Sequence, residues 1–379
     1  MEIKRKIKIL GSCVVTILLL ALMLRYLDRL MERKDSRDKF EKFYEQKENF
    51  DVLFLGTSHV HNGISPMDLW EQNGIVSYNL STPGCRIATA YWTLRIALEY
   101  TDPELVVLDC AYLKDEKAND NVNYGHRVFD AVPFGVLKAK AIMDLYDTGE
   151  NRLRYLCPLS LYHNRWTELE EKDFSPGIVK GKMGFYGLET TGEVELPDFS
   201  VKELQPVDNV STVYLEKIIE ECNKNHIALL FTYLPFNADQ VNQNDAAYIE
   251  KIAKENNIRY LTPGEIASVV NPETDFTNIS ENNAHLNFSG AHKVSYYIGN
   301  YIMKNYDIKD QRENPEYSAW DEYYHDYREY KLNFLKEAAE LENYLMLSAD
   351  KNYHSLIEIY NSDLWADRRF KQLLANLGV

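Results

Sequence analysis

The sequence predicts an α/β domain over about residues 50–308: an open, mostly parallel sheet with helices on both faces, a three-layer sandwich. Three observations predict it. Short apolar runs without polar alternation recur at Asp51–Leu55, Leu105–Asp109 and Ile227–Leu234, the pattern of strands buried on both faces. Helix-length segments lie between them, giving the strand–helix alternation of a parallel sheet. Gly56 and Pro235 stop the first and third of these runs.

Lys4, Arg5, Lys6 and Lys8 open the chain and precede an uncharged apolar run, Ile9–Leu24, closed by Arg25. At about 1.5 Å per residue the run falls short of a ~30 Å hydrocarbon core, but Ile7 and snorkelling Lys8 and Arg25 extend its reach. Ala21-Leu22-Met23 offers no small-x-small cleavage site, so the expectation is an uncleaved signal anchor within residues 1–30. The basic flank keeps the N-terminus cytoplasmic and places the rest of a single-pass chain outside the cell membrane. Residues 31–49, charged with both signs, read as a juxtamembrane stalk helix.

Beyond the first strand, Ser65-Pro66-Met67-Asp68 is a helix start: an N-cap, Pro at N1 and an acidic N3. Ile75–Leu80 reads as strand, Ile87–Tyr100 as helix, Val213–Asn225 as helix, Asp245–Asn256 as helix, Ile258–Leu261 as strand and Ala291–Asn305 as a last helix. A stretch at about 119–209, rich in Tyr, Trp, Gly and Pro, breaks the rhythm and reads as an insertion over the sheet edge. Residues 309–379 form a mainly helical C-terminal extension. There Asn314-Pro315 caps a helix whose Trp320, Tyr323, Tyr324 and Tyr327 make a packing stripe or a sugar platform, and Tyr353–Tyr360 and Asp363–Leu377 read as strand and helix.

Composition narrows the function. Of 379 residues, 45 % are hydrophobic and 26 % charged, which is globular. Lys plus Arg number 42 against 58 Asp plus Glu, a net charge of −16 that argues against nucleic acid as a partner. Five cysteines show neither a CxxC pair nor a histidine at zinc spacing, so no metal site and no disulfide scaffold follow.

Ligands of open α/β sheets bind beyond the carboxyl ends of the strands, and three loops at such ends carry chemistry. Gly56-Thr57-Ser58-His59-Val60-His61 puts a serine on a tight turn, where its hydroxyl can act as nucleophile and its amide can face an oxyanion. Asn79-Leu80-Ser81-Thr82-Pro83-Gly84 offers the Gly84 amide as a second oxyanion donor. Asn282-Asn283-Ala284-His285 places a histidine, on a loop before the last helix, where it can take the Ser58 proton. The His59-x-His61 pair also suits a metal, but a barrel hydrolase needs eight strand–helix units and about five are present. His59 and His61 therefore read as lining the site. Aromatic and cationic side chains cluster at His126 and Arg127, and again at His163, Arg165 and Trp166, either to bind a sugar or phosphate or to clamp the insertion.

From about Phe50 to Asn305, insertion aside, these blocks resemble the SGNH/GDSL hydrolase superfamily. Gly56-Thr57-Ser58 stands where that family's Gly-Asp-Ser carries the nucleophile. Gly84 matches its second-block glycine, and His285-Leu286-Asn287 with Gly290 matches its final block. The resemblance implies a flavodoxin-like, SGNH-hydrolase-like fold, Ser58 and His285 as catalytic pair, oxyanion donors at Ser58 and Gly84, and no cofactor. Two positions depart: the family's triad aspartate is Asn282 here, leaving Asp275 or Glu281 as other third members, and the third-block oxyanion asparagine is missing after Asp109. With the anchor, the chain is similar to the branch of teichoic-acid D-alanyl transfer proteins and alginate-type O-acetyltransferases. That implies acyl-ester transfer or hydrolysis on a cell-envelope polysaccharide or teichoic acid, beside a membrane-bound O-acyltransferase. The alternative is a non-catalytic anchored scaffold or glycan-binding partner of such an enzyme.

Overall fold

The computed structural model describes residues 2–32, 37–46, 48–119, 121–174, 180–278, 283–350, 352–354, 356–360 and 363–378. Helix α1 (Glu2–Met31) carries the apolar run, and its Lys4–Met31 stretch is long and apolar enough, by length and composition, to cross a membrane. Helix α2 (Arg37–Glu45) follows.

The sheet domain then runs β1 (Val52–Leu55), α3 (Ser58–Gly63), α4 (Pro66–Asn73), β2 (Ser77–Asn79), α5 (Ile87–Ala97) and β3 (Leu105–Asp109). Helices α6 (Val122–Phe129), α7 (Val136–Leu145), α8 (Gly149–Leu156), α9 (Leu159–Tyr162) and α10 (Glu171–Phe174) occupy the insertion. After it come α11 (Val210–Lys224), β4 (Ala228–Thr232), α12 (Gln240–Glu255), β5 (Arg259–Leu261), α13 (Pro263–Ala267), β6 (Phe276–Asn278), β7 (Ala284–Leu286) and α14 (Phe288–Asn305). The C-terminal extension holds α15 (Trp320–Glu337), α16 (Leu341–Ser348) and α17 (Arg368–Asn376).

Five parallel strands pair in the order β2-β1-β3-β4-β5. Side chains alternate across this sheet as the pleat requires. Leu53, Leu55, Val106 and Leu108 enter one core with α5 and α11, while Val52, Phe54, Leu105 and Val107 enter the other with α4 and α14. Both faces are covered, which is why the strands read as unbroken apolar runs. The exposed edge of β2 is closed by the insertion, where Asn79 N–H donates to the Met183 carbonyl at 3.0 Å.

Four sequence expectations need correction. The stalk is core: Phe40 and Phe43 of α2 are buried, and the Phe43 ring meets Phe50 at 5.5 Å and Tyr78 at 5.1 Å. His285 lies on a strand, because β6 and β7 pair as an antiparallel ribbon with Thr277 opposite His285. The described residues within 353–360 form no strand; Leu356 and Tyr360 are more than nine-tenths exposed and have no strand beside them. The final helix begins at Arg368, where Asp367 caps the Phe370 amide at 2.7 Å. The aromatic stripe of α15 is a packing face, with Trp320 and Tyr327 buried and Tyr327 bonded to Asp68 at 3.3 Å.

Candidate active site

Ser58 is the first residue of α3, directly beyond β1. The chain reaches it through Gly56 at φ +154°, where a side chain would meet Asp109 Cβ at 2.8 Å and Val60 Cγ2 at 2.9 Å; only glycine allows so close an approach. Thr57 caps α3, its hydroxyl accepting from His59 N–H at 3.3 Å. The Ser58 amide, at the helix start, has no acceptor within the helix. Asn79 secures the other end of α3, donating to the carbonyls of Val60 and Ile64, both at 2.8 Å.

His285 Nε2 lies 2.7 Å from Ser58 Oγ. Its other nitrogen, Nδ1, lies 3.0 Å from the Asn283 carbonyl oxygen. A carbonyl only accepts, so Nδ1 carries the proton and bare Nε2 accepts the Ser58 O–H. Burial pushes the His285 pKa down, with the Asn283 carbonyl opposing it, so the ring is neutral near pH 7. The strand is tethered from behind: Ala284 N–H donates to Asn237 Oδ1 at 2.8 Å.

The third members foreseen from sequence stand elsewhere. Asp275 accepts from Lys293 at 2.6 Å, the Asn271 amide at 2.7 Å and the Ser289 hydroxyl at 2.8 Å, and none of its hydrogen bonds reaches His285. Asn282 and Glu281 lie outside the described residues. The Asn283 main chain takes the position, and a main-chain acceptor leaves no mark in residue type. Asn287 and Gly290 have structural reasons: Asn287 caps α14 through Gly290 N–H at 3.1 Å, and a Cβ at Gly290 would stand 2.3 Å from the Asp275 carbonyl.

The second loop is sewn to the Ser58 turn by Thr82 N–H donating to the Gly56 carbonyl at 3.2 Å. Gly84 follows at φ +67°, packed under the Tyr124 ring and Asn119. The loop after β3 is held by Asp109, which accepts from the amides of Leu234 at 2.8 Å and Ala111 at 3.2 Å while burial raises its pKa to about 7. No asparagine replaces the missing oxyanion donor there; Tyr112, at φ +63°, stacks on His59 instead.

The remaining sequence candidates divide. His59 is buried between Phe236 at 4.4 Å and His285 at 4.6 Å, so it backs the His285 ring and does not line an open site. His61 is half-buried on α3 beside Ser58 and bonded to Lys39, which sequence reasoning missed because it sits in a stretch charged with both signs. Arg127 faces the His61 ring and lies over Tyr124 at 5.7 Å. His126 is a buried clamp, 2.6 Å from Asp130 and stacked on Tyr155 at 4.3 Å. Arg165 reaches the end of α1 at the Glu32 carbonyl, 2.7 Å, and Asp173 at 2.9 Å, so its bonds join the insertion to the end of α1, while His163 contacts the Ser160 carbonyl and Trp166 is exposed. Among the described residues no group of three or more His, Cys, Asp or Glu could hold a metal; His59 and His61, two apart on a helix, face different ways.

No protein-family model matches the chain, and no curated protein matches it. Solved structures similar to it include a candidate acylhydrolase from Bacteroides fragilis at 13 % identity and a TM-score of 0.36, covering 72 % of this chain and 99 % of that one. A candidate lipolytic protein of the G-D-S-L family from Desulfitobacterium hafniense is 12 % identical with a TM-score of 0.33, covering 66 % and 99 %. A GDSL-like lipase from Bacteroides thetaiotaomicron is 14 % identical with a TM-score of 0.33, covering 67 % and 88 %.

Proposed function

We propose that the chain is a membrane-anchored serine esterase or O-acyltransferase that works outside the membrane on acyl esters of a cell-envelope polysaccharide or teichoic acid. The observation that carries this reading is the 2.7 Å contact between Ser58 Oγ and an unprotonated His285 Nε2. Ser58 attacks the ester carbonyl while His285 takes its proton, and the amides of Ser58 and Gly84 hold the oxyanion. Collapse expels the alcohol, protonated by His285, and leaves an acyl-Ser58. Water, or a hydroxyl of an acceptor glycan, then attacks with His285 again as base. A membrane-bound O-acyltransferase is a fitting source of acyl groups for the transfer direction.

The neutral Asn283 carbonyl holds the tautomer that an aspartate would hold in a complete triad. The large loss known for an Asp→Asn change in such a triad comes from the wrong tautomer, and that loss does not arise here. What a carbonyl lacks is the full charge that steadies an imidazolium, so turnover is slower than with a carboxylate. The anchor reading draws on α1, whose apolar stretch is followed by a domain with its own two-faced core.

The pH profile tests the base. Hydrolysis of 4-nitrophenyl acetate by the full chain in detergent loses kcat/KM as pH falls through the His285 pKa, because a protonated Nε2 cannot accept from Ser58. Since that pKa is lowered from 6.5, the acid limb has its midpoint below 6.5. A midpoint at or above 6.5 contradicts the assignment.

A further inference from the structure

His61 follows Ser58 by three residues on α3, and residues three apart share a helix face. Its Nδ1 lies 2.8 Å from Nζ of Lys39, a buried side chain of α2. The same ammonium donates to the carbonyls of Gly184, at 2.7 Å, and Ser81. An ammonium has donors only, so Nδ1 is the acceptor and the proton of a neutral ring sits on Nε2. The ring is neutral: burial, then Lys39, Arg127, Lys182 and His285 facing it, hold its pKa well below the ordinary histidine value. Tyr186 stacks parallel on it, centroids 5.6 Å apart, and Lys182 lies 5.4 Å from the Tyr186 centroid. Ring orientation and tautomer are thus both set, while Nε2–H has no hydrogen-bond partner among the described residues and the residue is only half-buried.

We infer that His61 is a substrate-binding residue whose Nε2–H, held in that tautomer by Lys39 of the juxtamembrane helix, donates a hydrogen bond to an oxygen of the ester that Ser58 attacks. Lys39 is then a positioning residue. The substrate half of the inference rests on the esterase reading; the Lys39–His61 lock does not. The arrangement supplies a donor from α3 in a site that lacks an asparagine donor after β3, and it makes recognition depend on the docking of the helix next to the membrane span.

Full-length protein labelled with 15N-histidine, in detergent at about pH 7.5, reads the lock directly, with His61→Phe assigning the signal. The expected spectrum has His61 as the Nε2–H tautomer, changing to a mixture in Lys39→Met. His61 as Nδ1–H or as imidazolium in the wild-type chain overturns the lock. For the substrate half, His61→Phe keeps the stack on Tyr186 but removes the donor, and kcat/KM for 4-nitrophenyl acetate falls about tenfold, the worth of one hydrogen bond. His61→Gln, whose amide reaches the Nε2 position, recovers to within about threefold of wild type. A His61→Phe value within about twofold of wild type overturns the substrate role. If the wild-type chain turns over no aryl ester at all, the esterase reading has failed, and the spectrum still decides the lock.

Discussion

Ser58→Ala brings hydrolysis of 4-nitrophenyl acetate down to the uncatalysed rate, a loss of about 10³–10⁴-fold in kcat/KM. Removing the nucleophile from a complete triad costs about 10⁶ in kcat; here a carbonyl stands behind His285 in place of a carboxylate, the starting rate is lower, and the drop is smaller. The fold does not depend on this hydroxyl. Ser58 is partly exposed and its side chain bonds to His285, so the alanine variant melts within about 2 °C of wild type. Steady-state kinetics and a circular-dichroism melt on the same preparations check both halves. A melting temperature lowered by ten degrees or so, with ester turnover intact, assigns Ser58 a structural role instead.

The second large effect concerns α2. A chain starting at residue 32 keeps the fold and is soluble without detergent, whereas a chain starting at residue 48 aggregates. The longer truncation removes Phe40, Phe43 and Tyr44 from the main core, and with them the Lys39 bonds to Gly184 and Ser81. Lys42 goes as well, whose ammonium lies 4.5 Å from the Tyr323 ring of α15. Single substitution grades the effect: Phe43→Ala costs about 3–5 kcal/mol, typical for a buried phenylalanine, against a total stability of about 5–15 kcal/mol. Thermal melts of the chain starting at residue 32 measure it as a fall of about 5–15 °C. Equal melting of both truncations would return α2 to the status of a stalk.

Much of this was legible in the sequence because strand ends and turns are written in residue types. Gly56 marks the sharp turn into Ser58, and Leu286, Asn287 and Gly290 mark the block that singles out His285. The apolar runs mark strands covered on both faces. What stayed hidden depends on partners distant in sequence. Lys39 lies in a segment of mixed charge, where a buried ammonium cannot be told from a solvated one until Gly184 and Ser81 are seen around it. The acceptor behind His285 is a main-chain carbonyl, available at every residue and announced by none. His126 and Arg165 have the composition of a sugar site, yet Asp130 and the end of α1 take their bonds. Composition reports what a side chain can bind, and only the packing of the insertion decides what it does bind.

Covalent labelling tests for an activated serine at residue 58 without knowledge of the natural ester. Full-length protein in detergent is treated with a fluorophosphonate probe, digested, and the adduct mapped by mass spectrometry. The expected result is a single adduct on the Ser58 peptide, absent from Ser58→Ala and weakened in His285→Ala. A folded chain that carries no adduct on Ser58, or carries it equally with His285 removed, would rule out Ser58 and His285 as a catalytic pair and favour the anchored scaffold.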